Sequence, residues 1–310
     1  MFGFIANALY PLLIDALDFS DMGENSSAPI ESDVSVDDAV SEPEPDNSTP
    51  ENNQEGKIFT AVVMCVDSNG RAVDIVFIDA NGKTNQYIYC KIPSNIKRTN
   101  SVGVTAPVGD LFAMMSNDEI CKMVTAMTGI EVEYCLRFKR EDIPAISKKI
   151  PGANVVLPDK SGITFTNPAY SDFVPEDGIT YPSDYYINIT NNGDGKVLLD
   201  EQNNGKTNLE WLLGYTPNSD GSEYNAYYSL ICTSLIRQFF QKESSTMSTD
   251  VMSAILQNCD SNMTKGDATE YLEEIFAYND YKRYEYTYPS NWGSAVKDLR
   301  DMDNGNYKAS

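Results

Sequence analysis

The chain has 310 residues, a formal net charge of −23 and no histidine. The absence of histidine excludes Ser-His and Cys-His catalytic pairs and histidine-based zinc sites, and the strong negative charge disfavours binding to nucleic acid. Its six cysteines form no C-x-x-C pair, so neither a thiolate zinc site nor a thioredoxin-like redox site is expected. Most of them lie in apolar runs, which predicts buried free thiols, with disulfides as the alternative.

Residues 1–20 form a short apolar segment, broken by Asn7, Pro11 and Asp15 and preceded by no basic residue. A signal peptide needs a basic flank, and a membrane span needs about 20 apolar residues. The segment is therefore interpreted either as the remnant of a membrane anchor or as an amphipathic or disordered leader.

Residues 21–56 are predicted to be a disordered tether. Every charged residue between Asp15 and Glu55 is acidic, and an acidic stretch rich in Ser, Pro and Asn buries too little apolar surface to fold. The pattern then changes, and the sequence predicts one folded domain over residues 57–310.

The folded part opens with strands. Ile58 to Val66 is almost continuously apolar, as expected of a central strand covered on both faces. Residues 72–79 and 86–92 are predicted to form an antiparallel hairpin, in which Asn81-Gly82 supplies the positive φ angles of a tight turn.

A helix is predicted over residues 117–128, with Ser116 and Glu119 as a capping box and Gly129 as the stop. A strand at 130–138, a short helix at 141–149 and a short strand at 153–157 follow. The β-α-β-α-β order predicts an α/β layered sheet.

The remainder combines a loop-like region at 159–204, with one strand at 185–190, and a set of helices. These helices are predicted at 207–213, 224–241, 249–257 and 265–277. Asp67-Ser68-Asn69 and Asn192-Gly193-Asp194 resemble the openings of calcium loops, but a basic residue falls at the fifth position of each. Both are interpreted as turns.

Several stretches resemble motifs of the LytR-CpsA-Psr family. Val66-Asp67-Ser68 is similar to the family's Gly-x-Asp-Ser-Arg motif, Arg71-Ala72-Val73-Asp74 to Arg-Ser-Asp-Thr, and Ile92-Pro93-Ser94-Asn95 to Ile-Pro-Arg-Asp. The helix up to Gly129 and the stretch Ile150 to Pro158 also match family segments. The resemblance covers roughly residues 57–242.

The resemblance implies a three-layer α/β/α sandwich around a mixed β-sheet, with additional C-terminal helices. It also implies an extracytoplasmic domain, tethered to the bacterial cell membrane, that transfers a polyprenyl-pyrophosphate-linked glycopolymer to peptidoglycan. The expected partners are a cell-wall glycopolymer or the polyprenyl-pyrophosphate lipid, the membrane through an N-terminal anchor, and no nucleic acid. The oligomeric state is left open.

Arginines and a magnesium ion would hold the pyrophosphate, and an apolar groove would hold its lipid tail. The resemblance assigns catalytic roles to Asp67, Arg71 and Asp74, with Asp67 and Asp74 as the Mg²⁺ ligands. The candidate phosphate-binding residues are Arg71, Lys97, Arg98 and Arg137.

Most of the family's phosphate clamp is missing. Ala72 stands where an arginine is expected, Ser94 and Asn95 replace an Arg-Asp pair, and residues 212–216 contain no basic residue. Each lost charge-assisted contact removes about 1.5–3 kcal/mol. The leading hypothesis is a divergent family member, weakly active or inactive, that binds a lipid-linked or wall glycan.

Two alternatives remain at this point. The chain could be a non-catalytic carbohydrate-binding or adhesion module, in which solvent-exposed aromatic side chains stack on sugar rings. The candidate aromatic residues are Tyr181, Tyr185, Tyr186 and Trp211, together with Trp292. Ordinary packing of these rings is the competing interpretation. An active transferase would instead need Arg71, Lys97, Arg98 and Arg137 to converge on one pocket.

Overall fold

The structure is a computed structural model that describes residues 56–159, 162–173, 180–214, 226–241, 249–290 and 292–308. The predicted apolar segment at 1–20 and the tether at 21–56 lie outside the described residues, except Gly56. One compact unit comprises residues 55–157 and 161–310. Among the described helices, none has the length and apolar character needed to cross a bilayer.

Fourteen strands are found among the described residues. They are β1 (Ile58–Val66), β2 (Ala72–Asn81), β3 (Gln86–Lys91), β4 (Lys97–Thr99), β5 (Thr105–Pro107), β6 (Tyr134–Lys139), β7 (Asn154–Val155), β8 (Ile163–Thr166), β9 (Tyr186–Ile189), β10 (Val197–Leu198), β11 (Gln202–Asn203), β12 (Lys206–Thr207), β13 (Asp260–Ser261) and β14 (Lys282–Thr287). The described α-helices are α1 (Val108–Phe112), α2 (Asn117–Thr128), α3 (Ile143–Ser147), α4 (Asn208–Gly214), α5 (Ala226–Phe240), α6 (Thr249–Leu256), α7 (Lys265–Glu270), α8 (Leu272–Ile275) and α9 (Trp292–Asp303).

The central sheet has six strands in the order β13-β6-β1-β2-β3-β14. The β1–β2 and β2–β3 pairs are antiparallel, whereas the β1–β6 and β3–β14 pairs are parallel. As predicted, β1 lies in the interior of the sheet, and its residues from Phe59 to Val66 are buried. This explains why the strand is apolar without alternation.

Helices cover both faces of the sheet. On face A, side chains such as Val62 and Met64 pack against α1, α2 and α9. On face B, side chains such as Val63 and Cys65 pack against helices α3 to α8. The predicted three-layer α/β/α sandwich around a mixed sheet, with additional C-terminal helices, is confirmed.

The β2–β3 hairpin is confirmed, but the predicted geometry of its turn is wrong. The positive φ in this loop belongs to Asn85 (54°), and neither Asn81 nor Gly82 has one. Asn81 Oδ1 instead accepts hydrogen bonds from the backbone N–H groups of Lys83 and Thr84, at 3.0 and 3.3 Å. Gly82 is required for packing, because a Cβ there would lie 2.7 Å from the carbonyl oxygen of Lys57.

Helix α2 begins and ends as predicted. Ser116 Oγ accepts from the backbone N–H of Glu119, Glu119 Oε2 accepts from that of Ser116, and Gly129 ends the helix with a φ of 73°. The strand predicted from residue 130 starts only at Tyr134.

The C-terminal region departs most from the prediction. The helix predicted at 265–277 is broken at Tyr271 into α7 and α8, because the ψ of Tyr271 is 17° and not helical. Strand β14 and helix α9 were not predicted. Together they close the β3 edge of the sheet and cover part of face A.

All six cysteines are free, and all but the half-buried Cys259 are buried. The prediction of free thiols in apolar surroundings is therefore confirmed, and the disulfide alternative is wrong.

Candidate functional site

The turn between β1 and β2 carries the first motif of the predicted site. Asp67 Oδ1 accepts hydrogen bonds from the backbone N–H groups of Asn69 and Arg71, both at 2.9 Å. The Nε of Arg71 lies 2.8 Å from Oδ1 of Asp110. Asp67 thus stabilises a turn, as expected of Asp-Ser-Asn, and Arg71 is neutralised by a carboxylate that sequence analysis did not identify.

Asp74 lies on face B beneath α5 and is only 2 % exposed. Its Oδ2 accepts a hydrogen bond from Thr233 Oγ1 at 3.0 Å, and its Oδ1 lies 3.6 Å from Nζ of Lys91. Lys91 Nζ also donates to Thr233 Oγ1 at 3.4 Å. The three side chains therefore form a closed group in which the buried carboxylate has both a hydrogen bond and a counter-charge.

These contacts bear on the predicted magnesium site. Asp67 is engaged by turn amides and Asp74 by an ammonium group, so the two carboxylates do not make a cation site by themselves. In the part of the chain that the structure describes, no group of three or more acidic or cysteine side chains could hold a metal ion. Magnesium binding stays a prediction.

The other three predicted phosphate-binding residues have contacts or exposure of their own in the fold. The guanidinium of Arg98 lies 5.5 Å from the centroid of the Tyr288 ring, and Arg137 donates to the carbonyl oxygen of Met115. Lys97 is exposed on β4. By strand alternation Arg137 belongs to face A, whereas Asp74 belongs to face B, so the sheet separates them.

A second polar group lies on face B, around Arg237. Arg237 Nη1 lies 3.0 and 2.9 Å from Oε1 and Oε2 of Glu285, and its guanidinium lies 5.2 Å from the centroid of the Tyr89 ring. Tyr278 and Gln241 also donate to Glu285, at 2.6 and 3.1 Å. Burial raises the pKa of Glu285, but these donors outweigh it, and the net pKa is lowered.

The spacing of Thr233 and Arg237 could have predicted that their side chains lie on one face of a helix. Residues four apart share one face of a helix, so both side chains of α5 meet the sheet on the same side. Their partners Lys91 and Glu285 come from β3 and from the unpredicted β14, which is why the sequence did not reveal the pairs.

Three of the predicted glycan-binding residues form one aromatic cluster on the β8–β9 hairpin. The ring centroid of Tyr185 lies 4.5 Å from that of Tyr181 and 4.8 Å from that of Tyr186. Tyr181 and Tyr186 are 41 % and 46 % exposed, whereas Tyr185 is buried beneath them. The two exposed rings offer flat apolar surface to a ligand.

The prediction that Trp211 faces solvent is wrong. Trp211 is buried in α4, where its ring packs edge-on against Phe165 with the centroids 6.1 Å apart. Its Nε1 donates to the carbonyl oxygen of Asn203 at 2.6 Å, which satisfies the indole in the core. The side chain of Trp292 lies outside the described residues.

An open depression of about 510 Å³ adjoins the β1–β2 turn. Arg140 donates to the carbonyl oxygen of Leu213 in its wall, and its guanidinium lies 5.8 Å from the centroid of the Tyr228 ring. The lining residues are Ser68, Arg140, Glu141, Pro144, Lys206, Glu210 and Leu213. Two cations and two anions balance in this wall, which is not the composition of a pyrophosphate clamp.

The layer between the sheet and the helices of face B is closely packed. An apolar cavity in this layer has a volume of about 10 Å³, which is room for a single water molecule. It is lined by Cys65, Phe138, Ile143, Ile146, Ile150, Leu235, Ile236, Phe239, Phe240 and Ile255.

The described residues define an α/β protein in which helices cover both faces of a six-stranded mixed sheet. No protein-family model and no curated protein matches the chain. Solved structures similar to it include TagV of B. subtilis, with 11 % identity over 82 % of this chain and 99 % of that chain and a TM-score of 0.49. A structure of TagT bound to LIIa-WTA has 16 % identity over 80 % and 91 % of the two chains and a TM-score of 0.47. The Lin1025 protein of Listeria innocua has 16 % identity over 74 % and 82 %, with a TM-score of 0.41. At these values the similarity does not assign a function to the chain.

Proposed function

We propose that this chain is a cell-envelope protein of the LytR-CpsA-Psr type that binds a wall glycopolymer without transferring it. The observation that carries the proposal is that three basic residues, of which Arg71 belongs to a motif and Lys91 precedes one, already have carboxylate partners. Arg71 pairs with Asp110, Lys91 with Asp74 and Arg237 with Glu285.

A pyrophosphate would have to compete with these carboxylates. Arginine binds phosphate tightly when its N–H donors are free to form paired, charge-assisted hydrogen bonds. Arg71, Lys91 and Arg237 each already face a carboxylate within the fold, and the formal net charge of the chain is −23. The expected affinity for a free pyrophosphate group is therefore low.

The packing of face B supports the same conclusion. A polyprenyl tail needs a continuous apolar groove between sheet and helices, and the cavity found in that layer measures about 10 Å³. A chain of many methylene and methyl groups does not fit a space of that size. That cavity therefore cannot hold the lipid part of a transferase donor.

The glycan-binding part of the proposal rests on the β8–β9 hairpin. Tyr186 pairs with Thr166, and Asn188 with Thr164, across the two strands, and all four side chains are exposed. Together with Tyr181 they place aromatic faces beside hydroxyl and amide groups. Sugars are bound by such surfaces because ring C–H groups stack on aromatic faces while hydroxyl groups form hydrogen bonds.

Binding of purified wall polysaccharide to the isolated domain tests this proposal. Replacing Tyr181 and Tyr186 by Ala should weaken binding by about tenfold, which is about 1.4 kcal/mol. The matched controls are Tyr181→Phe and Tyr186→Phe, which keep the ring faces and should bind nearly as well as the wild type. Equal binding by the Ala variants would remove the hairpin from the proposal.

The non-catalytic part needs a separate measurement. The purified domain, supplied with Mg²⁺ and a polyprenyl-pyrophosphate-linked glycan, should show no transfer to peptidoglycan fragments. Transfer at a rate comparable with that of an active family member assayed in parallel would show that the basic residues rearrange, and would refute this part.

The proposed location is extracytoplasmic, with residues 1–20 as the membrane attachment and residues 21–56 as the tether. The acidic composition of the tether and the motif resemblance support it. Protease treatment of intact cells should release the domain from the cell surface. A domain that stays protected until the cells are lysed would contradict this location.

A further inference from the structure

A buried aspartate lies on face A, at the end of β2 that is farthest from the β1–β2 turn. Asp79 is 0 % exposed, and neither of its carboxylate oxygens has a hydrogen-bond partner among the described residues. Its cross-strand neighbours do not compensate for this. Ile88 is apolar, and Thr60 Oγ1 accepts a hydrogen bond from the backbone N–H of Glu133 at 3.1 Å.

The charged group that acts on Asp79 is a second carboxylate, that of Asp303. Burial, and then the nearby carboxylate of Asp303, raise the pKa of Asp79 well above its usual value. Asp303 is the last residue of α9, and two residues of the β2–β3 hairpin hold it in place. Asn81 Nδ2 donates to its Oδ1 at 2.5 Å, and Thr84 Oγ1 donates to its carbonyl oxygen at 2.7 Å.

A third unpartnered oxygen belongs to Gln86, the cross-strand partner of Asn81 and therefore a diagonal neighbour of Asp79 on face A. Gln86 Nε2 donates to the carbonyl oxygen of Thr84 at 2.7 Å, which fixes the orientation of the amide. Its Oε1 is buried and has no hydrogen-bond partner among the described residues. The atom left free is thus the oxygen.

The carboxylates of Asp79 and Asp303 and the amide oxygen of Gln86 are groups that a hard cation binds, and those of Asp79 and Gln86 have no donor among the described residues. A shared proton would satisfy one contact between Asp79 and Asp303 and leave the other Asp79 oxygen and Gln86 Oε1 without a partner, whereas a cation attracts all of these oxygens. The site also lies at the C-terminal end of the twelve-residue helix α9, where the partial negative charge of the helix favours a cation.

We propose that Asp79, Asp303 and Gln86 Oε1 bind a divalent cation of the calcium type, with water completing its coordination. Calcium accepts carboxylate, amide and water oxygens in flexible geometry. The bound ion would join the end of α9 to the β2–β3 hairpin, and it would thereby hold the C-terminal helix against the sheet. This inference does not depend on the proposed glycan binding.

Thermal unfolding of chelator-treated protein with increasing CaCl₂ tests the site. Ca²⁺ should raise the Tm of the wild type in a concentration-dependent way, because a ligand that binds only the folded state stabilises it. Asp79→Asn and Asp303→Asn should each abolish the shift. Asp301→Asn is the matched control, because Asp301 lies on the same helix but pairs with Lys297 at 2.6 Å, and it should keep the shift.

Terbium luminescence gives a second readout. Tb³⁺ should bind the wild type with emission sensitised by the protein's tyrosines, Ca²⁺ should displace it, and Asp303→Asn should bind it at least tenfold more weakly. Asp303 is only partly buried, so this variant keeps the test open if Asp79→Asn does not fold. The proposal would be overturned if Ca²⁺ did not change the Tm of the wild type, or if it raised the Tm of Asp303→Asn by the same amount.

Discussion

Asp74 and Asp79 lie on the same strand, and both are buried, but they face opposite sides of the sheet and have opposite surroundings. Asp74 has a hydroxyl donor and an ammonium group. Asp79 has no donor among the described residues and a second carboxylate nearby. The comparison shows that burial alone does not mark a binding carboxylate. The supply of donors separates a structural aspartate from one that needs a ligand.

The largest effect is expected from Asp74→Ala. The change leaves the ammonium group of Lys91, whose side chain is 29 % exposed, without its counter-charge, and it leaves Thr233 without its acceptor. We expect the free energy of unfolding to fall by about 3 kcal/mol, measured by urea denaturation. A loss below about 1 kcal/mol would show that the Asp74 group behaves like an exposed ion pair.

Asp79→Asn is expected to stabilise the protein when a chelator is present, whereas Asp74→Ala destabilises it. The new amide has the same shape and can donate a hydrogen bond to Asp303, and the cost of burying a carboxylate without donors disappears. We expect the free energy of unfolding to rise by about 2 kcal/mol in the same denaturation assay. A loss of stability in chelator would mean that Asp79 already has a partner in the metal-free protein.

A smaller effect is expected from Thr233→Val, which keeps the shape of the side chain but removes the hydroxyl between Asp74 and Lys91. The loss of one buried hydrogen bond should cost about 1 kcal/mol. Denaturation of Asp74→Ala, Thr233→Val and the double variant measures whether the two residues act together. Fully additive losses would contradict the closed group described above.

The smallest effect is expected from Glu285→Gln, because the Glu285 side chain is 41 % exposed. Its lowered pKa means that the folded state favours the charged form, so its stabilising effect is present at neutral pH and is lost as the pH falls through the pKa of the folded state. The variant should lose about 0.5 kcal/mol near pH 7. In strongly acidic buffer the free energy of unfolding of the variant should equal that of the wild type. If the stability difference between the variant and the wild type grew as the pH fell, the pKa of Glu285 would be raised in the folded state and not lowered.

Much of the sheet could be predicted from local patterns. The continuous apolar run of β1, the paired strands of the hairpin and the capping box at Ser116 each fix their structure within a few residues. Strand β14 was missed although Tyr284 and Tyr286 alternate with charged residues, as is typical of an edge strand. Helix α9 was also missed, although Ala295, Leu299 and Met302 follow a helical spacing and are buried.

The candidate sites were predicted less well, because they depend on contacts between distant parts of the chain. The motif at Asp67 and Asp74 located the turn and the buried carboxylate but not the partners of either. Asn81 and Asp303 are separated by 222 positions, so no local pattern links the two. The absence of donors around Asp79 becomes visible only when both faces of the sheet are known.

The pairing of β14 with β3 also affects how the chain folds during synthesis. Lys282 lies opposite Gln86, so the backbone groups along that edge of β3 stay unpaired until residues 282–287 have also been synthesised. An open strand edge can pair with another chain and cause aggregation. The nascent protein therefore has a long interval in which a chaperone that covers this edge would improve its yield.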